Sequence, residues 1–257
     1  MKMNKIEEKI IKRLEEIERE KNIKILFACE SGSRAWGFAS PDSDYDIRFI
    51  YSHPIESYLS ISEQRDSIEL PIQDDLDFGG WELRKALRLF YKSNAVIFEW
   101  LQSPIHYIKE SPLQEKLWDI RGEFYSLRAA LNHYIGLSKK SFKGIIEKER
   151  PKLKKYFYVI RPLLSAVWIV EKRSIPPMEL AKLMPVISHN PSIQQLINEL
   201  LNTKERSFEA DEIQPVAQLH PFITNTLLLL EESVKKISSQ QTNRDKLNQI
   251  FRHFIGG

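Results

Sequence analysis

The stretch from Ile23 to Tyr51 constrains this chain more than any other. It reads as an apolar strand (Ile25, Leu26, Phe27, Ala28), a small-residue turn (Ser31-Gly32-Ser33), ten residues, and then Asp44-Tyr45-Asp46-Ile47. Side chains alternate along a strand, so Asp44 and Asp46 project to one side. Like charges on one face repel unless a positive charge sits between them, and a divalent cation with oxygen ligands is the common solution. The Gly-Ser turn offers backbone N–H groups and a hydroxyl where a strand gives way to a helix, an arrangement that cradles phosphate. Turn and acid pair together describe a nucleotide site. On the second strand Arg48 joins the acids' face, while Tyr45, Ile47, Phe49 and Tyr51 form the other. The polar face is expected to be the site and the apolar face the core.

At 257 residues, 42% hydrophobic and 28% charged, the chain has the composition of a globular protein with a full core. A net charge of +3 names no partner by itself. The single cysteine, Cys29, lies in the first apolar strand and reads as a small buried hydrophobe. Without an intrachain disulfide, with a Lys- and Glu-rich start unlike a signal peptide, and with no run near the ~20 apolar residues of a membrane span, the chain is expected to be soluble and cytoplasmic.

Ahead of the constraining stretch, Ile6, Ile10, Leu14 and Ile17 give residues 3–21 the period of an amphipathic helix, with Asn22 as its stop. Strands are expected over 23–30 and 45–51, with one helical turn at 35–38 and a short helix at 55–61. Further strands are expected at 67–72, closed by Pro71, and at 74–78, ended by Gly79-Gly80. Helices then follow from Trp81 to Tyr91 and over 96–101. Pro104 and Pro112 bracket a linker, placing a boundary between an α+β domain over 1–108 and an all-helical domain over 109–257. In the second part, Pro162 is expected to kink a helix, and segments 220–237 and 243–255 close the chain.

A third acid is needed on a neighbouring strand. The candidates are Glu69, Asp75 and Asp77; Asp77 is favoured because it precedes the Gly79-Gly80 break, whereas Glu69 has the alternative of pairing with Arg48. Arg34 directly follows the Gly-Ser turn, near where a triphosphate tail would lie, and Asp42 reads as a turn residue. Other chemistries fit poorly: Phe38 stands where a phosphate loop needs Gly-Lys-Ser/Thr, Ser-Gly-Ser is not a hydrolase elbow, and the histidines lack zinc spacing.

Gly32-Ser33 followed by Asp44-Tyr45-Asp46-Ile47 resembles the signature of the DNA polymerase beta nucleotidyltransferase superfamily. More closely, Gly32-Ser33-Arg34-Ala35-Trp36-Gly37 with Ser40-Pro41-Asp42-Ser43-Asp44-Tyr45-Asp46-Ile47-Arg48-Phe49-Ile50 is similar to the predicted bacterial and phage nucleotidyltransferases associated with RNA repair. Leu83-Arg84-Lys85-Ala86-Leu87, Phe98-Glu99-Trp100-Leu101, Arg161-Pro162-Leu163-Leu164 and Pro176-Pro177 extend the likeness over most of the chain. The resemblance implies a polymerase-beta-like core, a small mixed sheet flanked by helices, with a C-terminal helical domain closing a cleft. It implies that Asp44 and Asp46 hold metal and that Asp77 faces the acceptor hydroxyl.

The expected reaction is in-line attack of a hydroxyl on the α-phosphorus of a nucleoside triphosphate, assisted by two Mg²⁺ (or Mn²⁺) ions held by Asp44, Asp46 and Asp77. Gly32 and Ser33 would orient the phosphates, and Lys155, Tyr156 and Arg161 are further candidates for touching the triphosphate. Residues 139–161 are rich in Lys and Arg with Phe142, Tyr156, Phe157 and Tyr158 interleaved. That mixture suits RNA and equally a solvated helix face over core aromatics. An RNA end is the expected acceptor. A protein or small-molecule acceptor, and a silent nucleotide-binding partner protein, are the competing readings.

Overall fold

A computed structural model describes residues 5–238 and 243–256; residues 3 and 4 of the expected first helix lie outside them. The elements in order are α1 (Lys5–Lys21), β1 (Lys24–Ser31), α2 (Gly32–Trp36), β2 (Tyr45–Ser52), α3 (Ile55–Tyr58), β3 (Ser67–Glu69), β4 (Leu76–Glu82), α4 (Leu83–Tyr91), α5 (Ala95–Leu101), α6 (Pro112–Asp119) and α7 (Arg121–Phe124). Helices α8 (Leu127–Ile146), α9 (Leu153–Lys172), α10 (Leu180–Leu183), a 3₁₀ turn (Met184–Ile187), α11 (Pro191–Lys204), α12 (Leu219–Val234) and α13 (Asp245–Ile255) follow. The fold is α+β. No helix among the described residues is long and apolar enough to cross a membrane.

The chain forms two compact units, one from Met1–Gly32, Asp44–Phe124 and Gln241–Gly257, the other from Ser33–Ser43 and Tyr125–Gln240. A single cut at 108/109 does not describe them. The first unit keeps α6 and α7, because the Ser111 hydroxyl that caps α6 also donates to the Leu26 carbonyl of β1 at 2.8 Å. It also takes back α13 at the end of the chain, where Phe251 meets Tyr58 edge-on at 5.3 Å.

In the first unit a four-stranded mixed sheet has the order β1-β2-β4-β3, with β1–β2 and β3–β4 antiparallel and β2–β4 parallel. Ile10, Leu14 and Ile17 of α1 pack with Ala28, Ile47, Phe49, Tyr51 and Phe78, so the amphipathic stripe of the helix covers the apolar face of β2. Asn22 ends α1 at a left-handed φ of 49°. Residues Ile25 to Glu30 of β1 are all buried, so that strand is covered on both faces. Strand β4 passes straight through Gly79-Gly80 to Glu82, where a strand end was expected. The glycines are there for room: a Cβ on Gly80 would stand 2.2 Å from the Phe49 ring, and one on Gly79 would stand 3.2 Å from Arg48 Nη1. Strand β3 stops at Glu69 rather than Ile72, and the turn into β4 holds Asp74 and Asp75 at φ of 52° and 60°. The side chain of Glu82 then caps α4 by accepting from Arg84 N (2.8 Å) and Lys85 N (3.3 Å).

The second unit is built on α8 and α9, whose facing sides bury Leu131, Tyr134, Ile135, Tyr156, Phe157, Ile160 and Leu163. Helix α9 continues through Pro162. Phe38 stacks on Phe157 at 5.0 Å, which explains why residues 33–43 belong to this unit. The loop is also bolted down by charge. Lys204, 1% exposed, reaches Ser40 Oγ and Glu209 (2.9 Å), while Glu209 also accepts from Ser43 Oγ (2.6 Å) and pairs with Lys154 (2.7 Å). Asp42 accepts the Glu209 N–H at 3.0 Å, so it is a loop anchor.

Burial of Glu209 raises its pKa, but hydrogen bonds from Lys154, Ser43 and Lys204 outweigh that and bring it down from 4.5 to about 2. A depressed carboxylate stabilises the fold above its unfolded pKa and loses that contribution as pH falls. The contribution is therefore complete at neutral pH and disappears between 4.5 and about 2. Glu209→Ala would strand the Lys204 ammonium without its carboxylate. The expected loss is about 3 kcal/mol at pH 7, and chemical denaturation at pH 7 and pH 3 should show the variant and parent converging at the lower pH.

Candidate functional site

Strands β2 and β4 place the candidate acids. They run parallel with Asp46 opposite Asp77 and Arg48 opposite Gly79, so all three side chains emerge on one face. Arg48 Nη2 donates to Asp46 Oδ1 at 2.9 Å and to Asp77 Oδ2 at 2.6 Å, and its Nη1 donates to the Asp77 carbonyl at 2.9 Å. One guanidinium thus draws two carboxylates from adjacent strands toward the same nitrogen. The Asp46 and Asp77 side chains keep 29% and 27% of their exposure, which leaves the pair accessible.

Asp44 is exposed and stands just before β2. Glu69 is exposed opposite Gly79 and is not the partner of Arg48. Asp75 lies in the turn before β4, exposed, with its carbonyl taken by Tyr45 N at 2.8 Å. The strand begins two residues later than expected, so Asp75 lies outside it and strand alternation does not place it on the face of Asp77.

Gly32 ends the run out of β1 at a φ of +61°, and a Cβ there would fall 1.9 Å from Asp46 Oδ2. Both the backbone conformation and the space demand glycine. The carboxylate of Asp46 is thereby pressed against the turn that the sequence marked as a phosphate cradle. Ser33 is buried, with its carbonyl accepting from Phe38 N at 3.0 Å. Arg34 donates to the Ser43 carbonyl at 2.6 Å, bracing the loop.

Sequence reasoning missed Glu30. Its side chain is fully buried, accepts the Asp46 backbone N–H at 2.7 Å, and accepts the Tyr107 hydroxyl. Burial, then the adjacent Glu30 charge, pushes the Tyr107 phenol well above its ordinary pKa. Glu30 therefore positions the strand that carries Asp46. The only sequence signal was a lone acid closing an apolar run.

Of the candidates in the helical unit, Lys155 is exposed, with its ammonium 5.6 Å from the centre of the Tyr158 ring. Tyr156 is fully buried and its hydroxyl accepts from Val216 N at 2.8 Å, so it is a core residue. Arg161, 4% exposed, donates from Nε to the Met178 carbonyl at 2.9 Å and lies 4.5 Å from the centre of the Trp36 ring. Both side chains are engaged within their own unit in this structure. Residues Val159 to Ala166 of α9 are buried without a break, so the helix is covered nearly all round, which a reading of composition alone passes over.

The donor set can be tested against a divalent cation. Carboxylate oxygens are what magnesium takes, and the Asp46–Asp77 pair already holds a positive group between its members. The residues fit a cation in donor type and in charge. Among the described residues, however, no group of three or more His, Cys, Asp or Glu is arranged to hold a metal ion. The three-acid cluster expected from the sequence is not assembled, because Asp44 stands off the strand and Arg48 fills the gap.

The profile of RlaP, the RNA repair pathway DNA polymerase beta family, matches residues 6–253. The uncharacterized protein YcgL of Bacillus subtilis (strain 168) is 41% identical over 251 residues, covering 97% of this chain and 96% of its own. A nucleotidyltransferase-like protein from Exiguobacterium sibiricum 255-15 aligns over 88% of this chain and 75% of its own, at 10% identity and a TM-score of 0.31, too low to bear on the argument. The family match over nearly the whole length, with the acid pair and the glycine turn in place, leads to one conclusion: this chain belongs to the RNA repair pathway DNA polymerase beta family of nucleotidyltransferases.

Proposed function

We propose that this protein transfers a nucleoside monophosphate from a nucleoside triphosphate to a hydroxyl at an RNA end, releasing pyrophosphate. The observation that supports it most is the in-register pair Asp46 and Asp77, held on one exposed face by a shared guanidinium. In the reaction a bond forms between the acceptor oxygen and the α-phosphorus, the bond from that phosphorus to the pyrophosphate oxygen breaks, and the acceptor proton leaves. Asp77 is the base for that proton. Asp46 and Asp77 would hold Mg²⁺ or Mn²⁺, which would supply charge stabilisation at the entering and leaving oxygens. Gly32 and Ser33 would orient the phosphates, and Arg34, next in the chain, would add positive charge beside them. The test is incubation with each α-labelled triphosphate and Mg²⁺ or Mn²⁺, with RNA, protein or no acceptor. A labelled RNA band is the expected result; label on protein or a small molecule, or binding without transfer, would overturn the RNA reading.

Arg48 occupies the space between the carboxylates that a divalent cation would take. Removing it should increase the repulsion between the two carboxylates and with it their affinity for a divalent ion. Arg48→Gln is expected to bind Mn²⁺, without nucleotide, about tenfold tighter than the parent (about 1.4 kcal/mol), as read by direct titration. Unchanged or weaker binding would mean that the guanidinium and the ion do not compete.

A further inference from the structure

A second site lies in the first unit, away from the acid face of the sheet in sequence and composed of different residues. Helix α4 carries Arg84 and Arg88, and Lys92 caps its C-terminus, so the three stand at steps of four, one row of cations about 6 Å apart. Helix α13 packs beside it and adds Arg244 at its start. Between the two helices is a cavity of about 480 Å³, lined by these four cations with Leu87, Tyr91, Leu247 and Phe251 among the walls and no carboxylate.

Two of the guanidiniums are set against rings. Arg84 lies 5.2 Å from the centre of Tyr58 and 5.0 Å from that of Phe251; Arg244 lies 4.4 Å from that of Tyr91. Ring faces hold a cation in place without neutralising it. All four cations are exposed, and among the described residues no carboxylate forms an ion pair with any of them. The neighbouring Lys85 and Lys246, by contrast, are each paired, with Asp66 and Glu123. Arg84 and Arg88 also border a neighbouring cavity that holds Glu63, Asp66 and Glu82, whereas the lining of the α4–α13 cavity itself contains no carboxylate.

The 139–161 stretch has the opposite character. Tyr156 and Phe157 are in the core, and Lys139, Lys143 and Lys154 pair with Glu231, Glu147 and Glu209. Part of the richest basic run in the sequence is thus engaged inside its own unit.

We propose that the α4–α13 groove binds single-stranded RNA, its cations taking successive phosphates and its aromatic and apolar walls taking unstacked bases. A row of positive charges about one nucleotide step apart, facing a cavity lined by rings and no carboxylate, matches a polyanion whose charges repeat and whose bases stack. The proposal rests on the RNA-acceptor reading for its choice of ligand and makes that acceptor's docking surface explicit.

The experiment measures binding of a fluorescent single-stranded oligoribonucleotide by anisotropy, in EDTA and without nucleotide, across a salt series. Single-strand binding loses about 0.7 log units per phosphate contact for each log unit of salt. Arg88→Gln with Arg244→Gln, both at exposed positions, should therefore flatten the slope by about 1.4 and weaken binding about tenfold. Lys140→Gln with Lys148→Gln in the helical unit should change neither. Wild-type binding in the groove variant, an equal loss in the control pair, no RNA binding by the parent, or displacement of RNA by polyglutamate as effectively as by unlabelled RNA would each overturn the groove. Because no transfer is measured, lost binding in the groove variant alongside absent transfer in the parent would sink the enzyme reading and leave the groove standing.

Discussion

Replacing Asp46 by alanine is expected to reduce nucleotidyl transfer by about 10³-fold or more, in line with removal of a charge-stabilising group aimed at the reacting centre, while the protein stays folded. The fold survives because what anchors this residue is its backbone: the N–H bonded to Glu30 is kept, and the side chain is not in the core. Arg48 loses one partner and keeps Asp77. Measuring labelled transfer beside a thermal unfolding curve separates the two effects. Parental turnover in the variant would remove Asp46 from the site; a collapsed unfolding curve would make it a structural residue.

Gly32→Ala should be nearly as damaging to transfer, through a different cause. The new methyl would overlap Asp46 Oδ2 at 1.9 Å and Cγ at 2.8 Å, and the backbone would have to hold an L residue at φ +61°. Left-handed backbone costs a residue with a Cβ about 1–2 kcal/mol, and the contact drives the carboxylate off its place beside Asp77. Gly37→Ala is the control. Its φ is +84°, yet nothing lies within 4 Å of the added carbon. It should lose comparable stability and retain transfer. If both alanines leave transfer intact, the close approach of turn and carboxylate has no part in catalysis.

The sequence made the second strand readable because its two faces differ in kind: Asp46 and Arg48 on one, Ile47, Phe49 and Tyr51 on the other. It made α1 readable by the same logic of period. Gly79-Gly80 misled because glycine breaks strands more often than it makes room in one, and the ring that needs the room, Phe49, is on a partner strand. Glu30 was missed because alternation says which side a residue faces but not which backbone N–H lies there. The loop 33–43 was assigned to its neighbours in sequence, whereas its contacts are with Phe157, Lys204 and Glu209. Such pairings are set by tertiary packing and have no local signature.

The parallel pairing of β2 with β4 has a temporal consequence. Arg48 and Asp77 are 29 residues apart, and a parallel ladder cannot close through a tight turn, so β3 and the turn after it must form on the way. Long-range pairings are slow to form relative to local helices. The acidic face is therefore expected to come into existence late in folding, after the local helices, and a partly folded chain would lack the paired carboxylates of Asp46 and Asp77.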